Sequence, residues 1–300
     1  MSTEEEQYER WLEHVTPEEA TLLREQATSI EELHDAFYRE LSFGTAGLRG
    51  IIGLGPNRMN VYTVAKATQG LADYLNAHYE SPSVAIARDS RNRGEEFVRA
   101  AAGVLAANGV VAHVYRAIQP TPVLSFTVRE LGCSAGINVT ASHNPAAYNG
   151  YKVYGDDGCQ IASQAAVEIQ EDIDGLDFFD DVKRMDFEEA LAAGLVQWVD
   201  DAVIDRFLDE VAAQSVKPED ARATRKLRIV YTPLNGTGLE CVTRILKRVG
   251  LDDLSVVDEQ RHPDGNFTTC PYPNPEDRAA LELGLELCER VRPDILLAPD

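Results

Sequence analysis

Short apolar runs alternate with stretches of helical periodicity along most of this chain, and that alternation limits the fold more than any other feature. Val84-Ala85-Ile86-Ala87 is a strand-length apolar run. Phe97, Ala101, Val104 and Leu105 then recur at helical spacing, and Gly109 supplies a stop. Val110 to Tyr115 is a second strand and Ala135 to Thr140 a third. Strand–helix–strand alternation of this kind predicts an α/β layer with short crossovers. Ahead of it, residues 4–41 read as acidic helices with Trp11, Leu12, Leu23, Leu33 and Phe37 available for burial. Thr16 before Pro17-Glu18-Glu19 is a helix start with its N-cap.

The stretch Glu171 to Glu189 is dense in Asp and Glu and reads as a solvated surface excursion. A second β-α-β series begins near Asp200: a helix through Val203 and Leu208, a strand 227–231 and a helix 239–249. Strand 254–257, a Pro-rich loop 270–275, helix 276–290 and strand 294–298 complete it. At 300 residues the chain exceeds one ordinary domain, and residues 1–199 and 200–300 are expected to form two. The sequence stops at Asp300 directly after an apolar strand, where α/β proteins place their ligand loops. That position predicts the N-terminal part of a longer chain.

Charge restricts the partners. Twenty-eight basic residues against fifty acidic ones leave a net charge of −22, which disfavours nucleic acid and anionic membrane surfaces. No apolar run reaches membrane-spanning length, and the acidic N-terminus lacks the apolar core of a secretory signal. Cys133, Cys159, Cys241, Cys270 and Cys288 are scattered without a C-x-x-C pair, as expected of reduced thiols in a cytoplasmic protein. A phosphate ester could bind such a chain only where a few basic residues outweigh the surrounding acid.

One segment combines such residues. Thr140-Ala141-Ser142-His143-Asn144-Pro145 closes a strand, and Asn149-Gly150-Tyr151-Lys152 follows. A tight polar turn at a strand end projects a hydroxyl from a rigid sheet, so Ser142 can be a nucleophile, with His143 and Lys152 as proton-transfer and charge-neutralising groups. By residue type alone the same segment also reads as a Ser/Asn/Pro turn without chemistry. A serine hydrolase is disfavoured: there is no G-x-S-x-G elbow, and adjacent side chains leave a strand in different directions.

T-A-S-H-N-P followed by N-G-Y-K resembles the phosphoserine loop of the α-D-phosphohexomutases. Phe43-Gly44-Thr45-Ala46-Gly47-Leu48-Arg49-Gly50 resembles that family's N-terminal loop and Arg88-Asp89-Ser90-Arg91 its short post-strand motif. The segments Tyr231–Gly238 and Pro271–Glu276 resemble its second domain, although Asn235 stands where members often carry histidine. The resemblance spans residues 40–300 in the family's order. It implies three-layer α/β/α domains with mixed sheets, the first two of four, in a phosphosugar mutase that works through phosphoserine and a bisphosphosugar. Ser142 would be the phosphorylated residue. Arg49, His143, Asn144 and Lys152 would bind phosphate beside it, with Arg49, His143 and Lys152 catalytic. Mg²⁺ would be held by the Ser142 phosphate and Asp300, the first aspartate of a D-x-D-x-D-R loop whose remainder would follow residue 300. Glucose 1-phosphate and glucose 6-phosphate are the implied substrates, with glucose 1,6-bisphosphate as intermediate; a phosphopentomutase or phosphomannomutase is the alternative. A non-catalytic sugar-phosphate-binding paralogue, or a hydrolase discharging the phosphoserine to water, is the alternative of another class.

Overall fold

The computed structural model describes residues 3–45, 47–216 and 227–299. Helices α1 (Thr3–His14), α2 (Pro17–Gln26) and α3 (Ile30–Phe37) open the chain. Thr16 caps α2 as its sequence predicts: its hydroxyl accepts from the Glu19 amide at 3.2 Å, and the Glu19 carboxylate accepts from the Thr16 amide at 3.1 Å. Ser29 and Glu32 repeat this capping box at α3. These helices are not an appendage. Trp11 is buried, and its ring meets Phe37, Tyr62, Phe178 and Phe179 edge-on with centroids 5.5–6.0 Å apart.

The main sheet has six strands: β1 (Leu48–Ile51), β2 (Ser83–Arg88), β3 (Val111–Val114), β4 (Ala135–Val139), β5 (Tyr148–Gly155) and β6 (Val196–Trp198). Their order is β1-β5-β4-β2-β3-β6. The run β4-β2-β3-β6 is parallel, while β5 and β1 are antiparallel to their neighbours. Alternation along β2 separates two cores, because successive strand side chains point to opposite faces. Val84 and Ile86 pack with residues of α4 (Val61–His78), α5 (Gly94–Ala107), α7 (Ser163–Asp174) and α8 (Phe187–Ala192). Ala85 and Ala87 pack with α6 (Thr121–Glu130) and α9 (Asp201–Ala213). The arrangement is three-layered with a mixed sheet.

The second unit is smaller. Strands β7 (Ile229–Tyr231), β8 (Leu254–Val256) and β9 (Ile295–Leu297) form a parallel sheet in the order β8-β7-β9, with α10 (Leu239–Arg248) and α11 (Glu282–Val291) as crossovers. Helix α9 joins the units. Its Val203, Ile204 and Leu208 lie in the core beneath α6, and its Asp205 accepts from Arg244 and, at 2.6 Å, from Arg248 of α10.

Two expectations are corrected. The acidic stretch 171–189 is no solvated excursion, since Ile173, Phe178, Val182 and Phe187 are buried; its carboxylates mask sparse apolar anchors spaced too irregularly to read as one face. The helix expected from Glu276 starts as a 3-10 turn at Arg278 and becomes α-helical only at Glu282, because the Asp277 carboxylate caps the Ala279 amide at 3.0 Å. Among the described residues β9 pairs with β7 alone, and Ile295 is 44% exposed.

Candidate active site

Strand β4 ends at Val139, and the chain turns sharply to bring Ser142 out of the sheet. The Ser142 backbone lies in the left-handed region (φ 57°), which non-glycine residues seldom adopt. Thr140, Asp89 and the buried Arg91 hold it there. The Thr140 hydroxyl accepts from the Ser142 amide at 3.0 Å and donates to the Asp89 carboxylate at 2.6 Å. The other Asp89 oxygen accepts from the Arg91 amide at 2.9 Å. Arg91, whose side chain is fully buried, is the centre of the arrangement. Its Nη2 donates to the carbonyls of Ser142 (2.7 Å) and Asn144 (2.6 Å), and its Nη1 to those of Pro145 (3.0 Å) and Tyr148 (2.8 Å). A planar fork of fixed donors can span such a loop, whereas a lysine could not. Asp89 lies 3.2 Å from Arg91 Nε and balances its charge. Burial pushes the Asp89 carboxyl above the usual carboxylate range, against the opposing pull of the Arg91 guanidinium.

The residues expected at the site fall into two groups. Ser142, His143 and Lys152 line one cleft of about 530 Å³ between the two units, together with Asp89, Gln119 and Asn138. Lys152 sits opposite Asn138 in the β4–β5 register, on the sheet face that looks toward α6. Asn138 donates to the Thr121 hydroxyl at 2.8 Å, while its own carbonyl oxygen is buried without a hydrogen-bond partner. Arg49 and Asn144 do not line the cleft but join each other, Arg49 Nη1 donating to Asn144 Oδ1 at 3.3 Å. Arg49 thus reaches the Ser142 turn from strand β1 through a solvent-exposed contact. The His143 ring lies 6.4 Å from that of Tyr272, which comes from the second unit.

The cleft opens at the C-terminal ends of the parallel strands, with Pro233 and Leu234 after β7 and Pro299 after β9 in its wall. Asp300 lies outside the described residues. Among the described residues no group of three or more His, Cys, Asp or Glu side chains could hold a metal. A hard divalent cation takes several oxygen ligands, so its donor set is not assembled within them.

Sequence reasoning missed the roles of Arg91, Asp89 and Thr140. The Arg88-Asp89-Ser90-Arg91 motif was visible, but a guanidinium gripping carbonyls more than fifty residues away leaves no local pattern.

Two family models match this chain in the same order. Residues 40–180 match the phosphoglucomutase/phosphomannomutase alpha/beta/alpha domain I, and residues 205–300 match domain II. The chain belongs to the phosphoglucomutase/phosphomannomutase family. It is 36% identical over 292 residues to a phosphoglucomutase of Staphylococcus saprophyticus, covering 97% of this chain and 52% of the relative. A phosphoglucomutase of Staphylococcus aureus strain N315 is 34% identical over 309 residues, with 97% and 52% covered. The chain thus spans about half the length of the curated relatives it matches. A family member from Burkholderia thailandensis has the same fold, with a TM-score of 0.62 at 23% identity over 85% of this chain and 51% of that one. So does parafusin from Paramecium in its open form, with a TM-score of 0.59 at 16% identity over 87% and 52%. Among the described residues no helix is long and apolar enough to cross a membrane.

Proposed function

We propose that this chain is the phosphoserine-bearing half of a cytoplasmic phosphosugar mutase, with a first domain over residues 1–199 and a second over 200–300. One observation carries the reading: Ser142 is fixed in a left-handed turn by buried Arg91, at a cleft shared by two units and lined also by Lys152 and His143. Phosphoryl transfer needs positioning and neutralised charge more than covalent help from the protein, and such a site offers both.

In the proposed cycle a hydroxyl of the sugar monophosphate attacks the phosphorus of phospho-Ser142. The P–Oγ bond breaks, the sugar hydroxyl's proton is passed by His143 or solvent to the departing Ser142 oxygen, and a bisphosphosugar results. After this intermediate reorients, the Ser142 hydroxyl attacks its other phosphorus, that P–O bond to the sugar breaks, the serine proton is passed to the sugar oxygen, and the isomeric monophosphate leaves. Lys152 offsets charge on the transferring oxygens; Arg49 and Asn144 keep the turn in place. Mg²⁺, with the Ser142 phosphate and Asp300 as its proposed ligands, would add positive charge there. Glucose 1-phosphate and glucose 6-phosphate are the proposed substrates, with glucose 1,6-bisphosphate between them, a choice supported by the names of the curated relatives.

Turnover of glucose 1-phosphate by the full-length protein, measured against phosphate release, tests the reading. Isomerisation with little phosphate release is expected. Release alone points to a hydrolase, and neither outcome to a non-catalytic binding protein.

A further inference from the structure

Phe267 belongs to the loop after β8, in the second unit, and its backbone is left-handed (φ 48°). A bulky aromatic residue rarely occupies that region, where glycine or asparagine fits better. The surrounding turn enforces it. The Asp264 carboxylate accepts from the amides of Asn266 (2.9 Å) and Thr268 (2.8 Å), and the Phe267 amide donates to the Asp264 carbonyl at 3.1 Å. The outcome is a ring buried to 4% exposure and laid over the Arg91 guanidinium, 5.1 Å from Cζ to ring centroid. Beside it Asn92 donates to Asn266 at 2.8 Å, tying the two loops together. The edge of Arg91 is taken up by the carbonyls of the Ser142 turn, and its face is covered by a ring from the other unit.

We infer that Phe267 is a positioning residue for the Ser142 turn. It acts through Arg91, so that seating of the second unit on the first stiffens the turn in its reactive geometry. A strained backbone at this point is explained by what the ring reaches, since a cation–ring contact strengthens when both partners are desolvated. The catalytic part of this inference rests on the mutase reading above; the structural part stands without it.

The test compares Phe267→Gly with Phe267→Tyr. Glycine suits a left-handed backbone but gives up a buried ring, so Phe267→Gly is expected to fold with a lowered Tm, the amides of β2 reporting that global loss for comparison; Phe267→Tyr keeps the ring. Hydrogen exchange in the 300-residue chain reads the amides of Ser142, Asn144 and Tyr148. Steady-state kinetics of the full-length protein read kcat and KM. Phe267→Gly is expected to speed exchange at these amides about tenfold, and to lower kcat by a similar factor with KM nearly unchanged. Phe267→Tyr is expected to restore both. Unchanged exchange in Phe267→Gly overturns the inference, and so does faster exchange with undiminished kcat. If the wild-type protein has no mutase turnover, the mutase reading fails instead, and exchange alone then decides whether Phe267 holds the turn.

Discussion

Arg91 reaches Ser142 through the serine's own carbonyl oxygen, 2.7 Å from Nη2. The grip therefore fixes the backbone of the turn and leaves the Ser142 hydroxyl to the cleft. Such a contact makes Arg91 as important to stability as to placement. Arg91→Leu leaves the largely buried Asp89 carboxylate uncompensated at the cleft edge and frees four carbonyls, so it should cost about 3–5 kcal/mol in urea unfolding. Arg91→Lys keeps the charge without the fork and should cost less stability while still loosening the turn. A loss below about 1 kcal/mol for Arg91→Leu would show that the network is not coupled in this way.

Lys152 lines the cleft with Ser142 but belongs to a different strand, so its removal should spare the turn. Lys152→Met in the full-length protein is expected to raise the barrier by about 2–4 kcal/mol, read as a fall in kcat with the fold retained. An unchanged kcat would take Lys152 out of the reaction.

The N-terminal helices dock around a buried indole. Trp11 is 3% exposed and touches four aromatic rings, so Trp11→Ala should destabilise by about 3–5 kcal/mol in chemical denaturation. An effect confined to helix content, with no loss of global stability, would mean that α1 to α3 fold apart from the sheet.

His113 on β3 gives a pH signature. Burial holds its imidazole below the ordinary value of 6.5, so the folded protein favours the neutral ring. The unfolded chain then binds more protons as pH falls through about 6.5, and stability is lost in that direction; above 6.5 the contribution is complete. His113→Gln should flatten this part of the stability–pH curve, measured by urea midpoints from pH 7.5 down to 5. An identical slope in the variant would place the acid sensitivity elsewhere.

The sequence disclosed what periodicity and chain-local chemistry encode. Strands β2, β3 and β4, the Thr16 cap and the Gly109 stop were legible because each is written in neighbouring residues. Ser142, His143 and Lys152 were singled out by the resemblance of T-A-S-H-N-P and N-G-Y-K to a phosphoserine loop, since residue types at a strand end alone also fit a turn without chemistry. The Phe178 and Val182 anchors were hidden because surrounding carboxylates dominate the composition of their segment. Arg91 and Phe267 were hidden for another reason: their partners lie on distant loops, so neither the carbonyl clamp nor the ring above it has a sequence period.

Ser142 as the phosphorylated residue is the claim on which the proposed cycle depends. Phosphopeptide mass spectrometry of active full-length protein, with Ser142→Ala beside it, tests this directly. The expected result is phosphate on the peptide bearing Ser142, and a variant that folds normally yet loses several orders of magnitude of turnover. Phosphate on Ser90, Ser125 or Ser134 in place of Ser142, or a fully active Ser142→Ala protein, would contradict it.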